Sequence, residues 1–304
     1  MKNIIIIFIV LVLIGFGIYF FIKGASDNTP PVVVENQQGT TTETSGAQNG
    51  TNVPAQDKTQ TVIGKSVEGR DITAYHFGEG ARKILFVGGL HGGYEWNTSL
   101  LAYEMMDYLK ANPSAIPASV AVIVIPVLNP DGLYKVVGTT GPFTEGDVAS
   151  SQDVQVSGRF NANNVDLGRN FDCNWQKDGV WQTKTVSGGS EVFSEPESRA
   201  IRDFVTSYKP DAVVVWYSAA GGVYASSCGG GILPETNTLT NLYATASGYT
   251  ANKSFDFYKI TGDMVDWLAK MNIPAISVLL STHTDIEWDK NLAGIKAVLD
   301  HYGK

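Results

Sequence analysis

Short apolar runs alternate along the chain with stretches whose apolar positions recur every three or four residues. Lys83–Val87, Val120–Val127, Ala212–Trp216 and Ala275–Leu280 each predict a buried strand. Val62–Gly80 predicts a hairpin turning at Glu68-Gly69. Asn97 or Thr98 is expected to cap a helix that carries Leu101, Met105, Tyr108 and Leu109 on one face and ends at Asn112-Pro113. Asn129-Pro130-Asp131-Gly132 reads as a turn. Ser194-Glu195-Pro196-Glu197 reads as a capping box opening a helix to Tyr208. Thr261 is expected to cap a helix through Lys270, and a last helix carries Leu292, Ile295, Leu299 and Tyr302 on one face. Buried strands alternating with amphipathic helices predict an α/β fold: one twisted, mixed but mostly parallel sheet with helices on both faces. Sites in such sheets lie beyond the carboxyl ends of strands, where His91 and Tyr217 both fall.

The first residues follow another pattern. Ile4 to Ile22 carries no charge, with Lys2 before it and Lys23 after it. At about 1.5 Å per residue this run spans roughly 28 Å, the thickness of a bilayer core. The expectation is a transmembrane anchor over 1–23, with the N-terminus inside and the rest of the chain outside the cytoplasm. A cleaved signal peptide, which would make the protein secreted, is the competing reading. Its apolar core is shorter, about 7–15 residues, and ends at a small-residue site that Tyr19-Phe20-Phe21-Ile22-Lys23 does not offer. Residues 24–58 are rich in Thr, Asn, Gln, Gly and Ser, too polar to offset their ordering entropy, and read as a disordered linker. The folded domain is expected over 59–304.

A formal net charge of −8 excludes a nucleic-acid backbone as a natural partner, and no basic stripe interrupts it. The two cysteines, Cys173 and Cys228, match no clustered metal motif. In an extracytoplasmic domain they are expected to form a disulfide.

The candidate chemistry begins at Gly88-Gly89-Leu90-His91-Gly92-Gly93-Tyr94-Glu95, directly after the first buried strand. A His and a Glu at a strand end suit zinc, and a catalytic zinc takes three protein ligands plus water. A third ligand and a general base must come from elsewhere.

Five segments in order resemble the zinc carboxypeptidases of the carboxypeptidase A type, over about Val62 to Tyr302. They are Gly64-Lys65-Ser66-Val67-Glu68-Gly69-Arg70, the His91…Glu95 pair, Asn129-Pro130-Asp131-Gly132, Arg159 through Val165-Asp166-Leu167-Gly168-Arg169-Asn170-Phe171, and Tyr258 ahead of Asp266-Trp267. The resemblance implies a Zn²⁺ held by two His and one Glu, a Glu as general base, an oxyanion Arg, and an Asn-Arg pair on the substrate's terminal carboxylate. It assigns His91 and Glu95 to the metal, Arg159 to the oxyanion, Arg169 to the carboxylate and Tyr258 to the substrate cap. The implied partner is a peptide with a free carboxylate, for instance a cell-wall stem peptide.

The departures are specific. The first motif is His-x-x-x-Glu, one residue longer than the family's. The Asn-Arg pair is Gly168-Arg169. Tyr217 stands where the second zinc His is expected, and Leu279 where the catalytic Glu is expected. Loss of a general base typically costs about 10²–10⁴ in rate. Loss of a group that only supports a ligand typically costs about 10–100-fold. Together they predict little or no peptidase activity. Each assignment has a plainer alternative. His91 can be a strand-end His without metal, Arg159 and Arg169 structural ion-pair residues, and Tyr258 a packing residue. His283 and Glu287 stand as substitutes for the missing ligand or base, or as ordinary surface residues. Two functional classes remain: a membrane-tethered peptide-binding domain that has lost catalysis, and an active metallocarboxypeptidase with unconventional groups. A purely structural surface domain is the third.

Overall fold

Strands β1 (Gln60–Lys65), β2 (Asp71–Phe77), β3 (Arg82–Val87), β4 (Val120–Ile125), β7 (Ala212–Ser218), β8 (Gly222–Ala225), β9 (Thr250–Asn252) and β10 (Ala275–Leu280) form one sheet in the order β1-β2-β4-β3-β7-β10-β8-β9. A separate two-stranded hairpin joins β5 (Asp178–Trp181) to β6 (Lys184–Ser187). This computed structural model describes residues 59–304; the expected anchor and linker lie outside the described residues. Among the described residues no helix is long and apolar enough to cross a membrane.

The centre of the sheet, β4-β3-β7-β10, is parallel, and the flanks add antiparallel pairs β1/β2, β2/β4 and β8/β10. The mixed sheet of the sequence expectation is therefore observed. Its central strands are buried throughout because helices cover both faces. Alternate residues divide between two cores. Phe86, Val124, Val214, Trp216 and Val278 face helices α1 (Trp96–Ala111), α5 (Pro234–Ser247) and α7 (Trp288–Tyr302). Val87, Ile125, Val215, Tyr217 and Leu279 face α4 (Pro196–Tyr208) and α6 (Met264–Lys270). Two further helices, α2 (Pro130–Val137) and α3 (Gln152–Ser157), sit on the connections.

Several element ends differ from expectation. The first helix starts at Trp96 with Glu95 at its cap position; neither Asn97 nor Thr98 caps it. Thr98 Oγ1 instead donates to the Glu95 carbonyl and accepts from the Gly89 amide, so it ties the strand end to the helix. Asn129-Pro130-Asp131-Gly132 is a helix start, not a free turn: Asn129 caps α2 by accepting from the Gly132 amide, with Pro130 in the first turn. No capping box forms at Ser194–Glu197, because Ser194 donates to Glu195 and Glu197 accepts from the Val67 amide and Asn161. Asp263, not Thr261, caps α6, accepting from the Val265 and Asp266 amides. Cys173 and Cys228 form the expected disulfide.

Candidate functional site

The carboxyl ends of β3, β7 and β10 open onto one cavity, lined among others by His91, Glu95, Arg159, Arg169, Tyr217 and Leu279. The extra residue of the first motif is absorbed in a tight turn over Gly92–Glu95. Gly92 has φ +45°, and a Cβ there would lie 2.6 Å from the Gly158 carbonyl oxygen. Only glycine meets both demands. The turn brings His91 Nδ1 to 2.9 Å from Glu95 Oε1.

A buried charge network surrounds this pair. His91 Nε2 lies 3.3 Å from Asp166 Oδ1. Arg159 donates to Asp166 Oδ2 through Nε at 3.2 Å and Nη2 at 2.9 Å, and its Nη1 lies 3.9 Å from Glu95. Arg169 Nε stands 3.5 Å from the same Asp166 oxygen. Burial disfavours the Asp166 carboxylate, but Arg159, His91 and Arg169 outweigh it and hold it well below the usual range. Burial and Arg159 pull His91 down, yet Glu95 and Asp166 leave it raised. Sequence reading assigned Asp166 no role. Its position three residues before Arg169 was the available signal, since a carboxylate commonly orients a metal-site imidazole.

Neither His91 nitrogen completes a hydrogen bond of good geometry, nor does Glu95 Oε2, although all are buried. Two zinc-type donors therefore stand side by side. The third place is different. Tyr217 is buried, its ring centroid 5.5 Å from that of His91, and its hydroxyl donates to Asp263 Oδ1 at 3.4 Å. Burial first, then Asp263 and Glu95, push its phenol well above 10, away from the phenolate that a metal would need. Among the described residues no three His, Cys, Asp or Glu side chains converge where they could share a metal ion. The residues present do not complete the family's catalytic zinc site. Leu279 lies 7% exposed at the cavity wall and offers no proton acceptor.

Gly168 has a steric reason. A Cβ at this position would lie 2.6 Å from His91 Nε2, so a side chain there would displace the imidazole. Arg169 is 2% exposed and spends its guanidinium on the chain itself. It donates to the Val180 carbonyl at 2.6 Å and, at 3.4 Å each, to the Lys259 carbonyl and Thr261 Oγ1. Tyr258 stands beside it, ring centroid 5.9 Å from the guanidinium carbon, packed against Phe255. Trp181 covers Arg159 at 4.6 Å and meets the edge of Tyr94.

His283 packs at a tilt against Tyr94, ring centroids 4.5 Å apart, and contacts Ser218 Oγ at 3.1 Å through Nδ1. Asn97 donates its amide nitrogen to the carbonyls of Thr282 and Asp285, so its oxygen faces Ser218 and accepts a hydrogen bond from that hydroxyl. Neutral His283 then donates from Nδ1 and keeps Nε2 as an acceptor. Burial lowers its pKa. Glu287 is not a displaced base. It accepts from Tyr249, Ser281 and Lys290 at the start of α7, away from the cavity; burial opposes its charge, but these bonds outweigh it and lower its pKa to about 2. Asp263 and Asp266 also line the cavity; sequence reading notes both positions but assigns neither a role, because a helix-start acid is ordinarily a solvated cap.

The profile of the zinc carboxypeptidase family matches residues 54–288. Carboxypeptidase D of Drosophila melanogaster is 24% identical over 288 residues, spanning 78% of this chain and 19% of its own length. Carboxypeptidase B of Astacus astacus is 27% identical over 154 residues, 48% of each. The chain thus spans less than half of either relative. Bovine thrombin-activatable fibrinolysis inhibitor, solved with tick carboxypeptidase inhibitor, shares the fold with a TM-score of 0.63 at 16% identity, over 80% of this chain and 89% of its own. Murein-tripeptide amidase MpaA from Escherichia coli O157 does so with 0.56 at 19%, over 81% and 93%.

Proposed function

This chain belongs to the zinc carboxypeptidase family, and on that premise we propose that its domain recognises the free C-terminal carboxylate of a peptide while its hydrolytic chemistry is impaired. The observation that carries this reading is the Tyr217–Asp263 hydrogen bond at the third ligand position. A neutral phenol tied to a carboxylate is a poor zinc ligand, and Leu279 supplies no base.

The recognition side rests on what the cavity keeps. Arg159 is buried and cationic beside the cavity, and it shares Asp166 and Glu95 with the cationic groups of His91 and Arg169. Arg159 and Arg169 both line the cavity and together attract an anion; Tyr258, beside Arg169, is the candidate cap. Peptides with a free carboxylate are the natural class, cell-wall stem peptides among them; the solved neighbour titled as a murein-tripeptide amidase is compatible with this. The Cys173–Cys228 disulfide supports placement in an oxidising compartment outside the cytoplasm, tethered by the apolar segment 4–22 or secreted if that segment is removed.

The test is calorimetric titration of the full-length chain with N-acetyl-alanyl-alanine and with its C-terminal amide. The acid binds, the amide does not, and Arg169→Ala abolishes the difference. Unchanged binding in Arg169→Ala would remove the recognition role. An active metallocarboxypeptidase is the alternative, favoured by the adjacent unspent donors of His91 and Glu95 and by the free Nε2 of His283. Release of alanine from the same acid peptide, abolished by a chelator, would establish it.

A further inference from the structure

One short hairpin covers both arginines of the cavity. Val180 on β5 places its carbonyl oxygen 2.6 Å from Arg169 Nη2, where an oxygen of a bound carboxylate would sit. The neighbouring Gly179 lies flat on the same side chain: a Cβ there would come within 2.9 Å of Arg169 Cδ and Nη1. One residue on, the Trp181 ring lies 4.6 Å from the Arg159 guanidinium, wedged against Tyr94 and Phe160.

We propose that the β5–β6 hairpin is a strap that occupies the carboxylate fork of Arg169 from within the chain, so that a peptide carboxylate binds by displacing it. This inference rests on the carboxylate-recognition reading above and adds a gate to it.

The fixed and movable parts of the hairpin are separable. Its base is anchored: the Gly188 amide donates to Lys177, the Asp166 amide donates to Ser187, and the Gly188 carbonyl accepts from Asn170 and Trp175. Its tip is not. Val180, Gln182, Thr183, Lys184 and Thr185 are exposed, and the turn is only two residues between the paired Trp181 and Lys184. The tip is held down by the Arg169–Val180 bond, the Trp181 ring and a Gln182 contact to Tyr94. A carboxylate offers Arg169 Nη2 a charged oxygen in place of a neutral carbonyl, so exchange of one for the other is chemically favoured. A closed strap weakens apparent affinity in proportion to the open fraction; closure nine-tenths of the time weakens it about tenfold.

The experiment compares the full-length wild-type chain with a full-length variant in which Gly179–Val186 is replaced by Gly-Ser. Both are titrated with N-acetyl-alanyl-alanine and its amide, and wild-type hydrogen exchange is followed with and without the acid. The expected result is acid binding at least tenfold tighter in the shortened variant and no gain for the amide. In the wild type, saturating acid speeds exchange at residues 179–186 and leaves Gly188 unchanged, a readout that needs no variant to fold. Equal affinities with unchanged exchange overturn the strap and leave carboxylate recognition standing. Absence of acid binding in both chains overturns the recognition reading and the strap with it.

Discussion

Leu279 lies directly across from Tyr217 in the parallel register of β10 and β7. Both side chains point to the same face of the sheet, and both are 7% exposed at the cavity. The two positions at which the resemblance expects a ligand and a base thus form one contiguous patch, and Asp263 closes it by accepting a hydrogen bond from the Tyr217 hydroxyl. A reverting pair follows from this adjacency. Tyr217→His supplies a third ligand atom, an imidazole nitrogen, beside His91 and Glu95, and is expected to raise zinc affinity without hydrolysis. Adding Leu279→Glu is expected to raise peptide hydrolysis by about 10²–10⁴ over the single variant. Metal content and alanine release check the two steps. A double variant with bound zinc and no rate gain would show that more than these positions has changed.

Asp166 holds the charge network together. Asp166→Ala would strand Arg159 and His91 without their buried partner. Removing one member of a buried ion pair typically costs about 3–5 kcal/mol. Urea unfolding of the variant should lose stability in that range. A loss below about 1 kcal/mol, the level of a surface pair, would contradict the burial argument.

Stability should also depend on pH through Asp266. Burial, then the facing Asp263, push its carboxyl up to about 7. An unfolded Asp titrates near about 3.9, so between there and about pH 7 the folded state binds more protons. Stability from this group is full below the unfolded value and is lost as pH rises through about 7. Asp266→Asn keeps an oxygen for the Ser227 amide and removes the titration. Its stability advantage over wild type is expected to be larger at about pH 8 than at about pH 5, by denaturant midpoint. An advantage equal at both pH values would contradict the assignment.

The disulfide Cys173–Cys228 joins the segment after Arg169 to the loop after β8, across a sequence separation of 55. Closing such a loop contributes roughly 4 kcal/mol by chain entropy. Reduction, or Cys173→Ser with Cys228→Ser, should lower the unfolding free energy by up to about that amount. No change on reduction would mean that the unfolded chain is compact enough to make the link redundant.

The sheet was legible because its central strands are continuous apolar runs, and His91, Arg159, Tyr217 and Leu279 all fall in the cavity that the strand ends implied. The region from Gly222 to Asn252 was not legible. Helix α5 buries Thr236, Thr240 and Ser247 on its inner side, which erases the apolar period, and β9 is the polar triplet Thr250–Asn252 at the sheet edge. The β5–β6 hairpin was missed because each strand is only four residues long and apolar Val180 points outward while Trp181 is buried, so no clean alternation shows. Asp263 illustrates a subtler limit. Its capping role is local and readable, but its bond to Tyr217 joins positions 46 apart and exists only in the folded chain.

Zinc stoichiometry of the tag-free full-length chain, after chelation and resupply of one equivalent of metal, tests the central claim most directly. Two adjacent donors and a neutral phenol predict no zinc retained through gel filtration. One zinc held per chain would contradict it: a third ligand would then be present, and impairment of the site could no longer be argued from Tyr217.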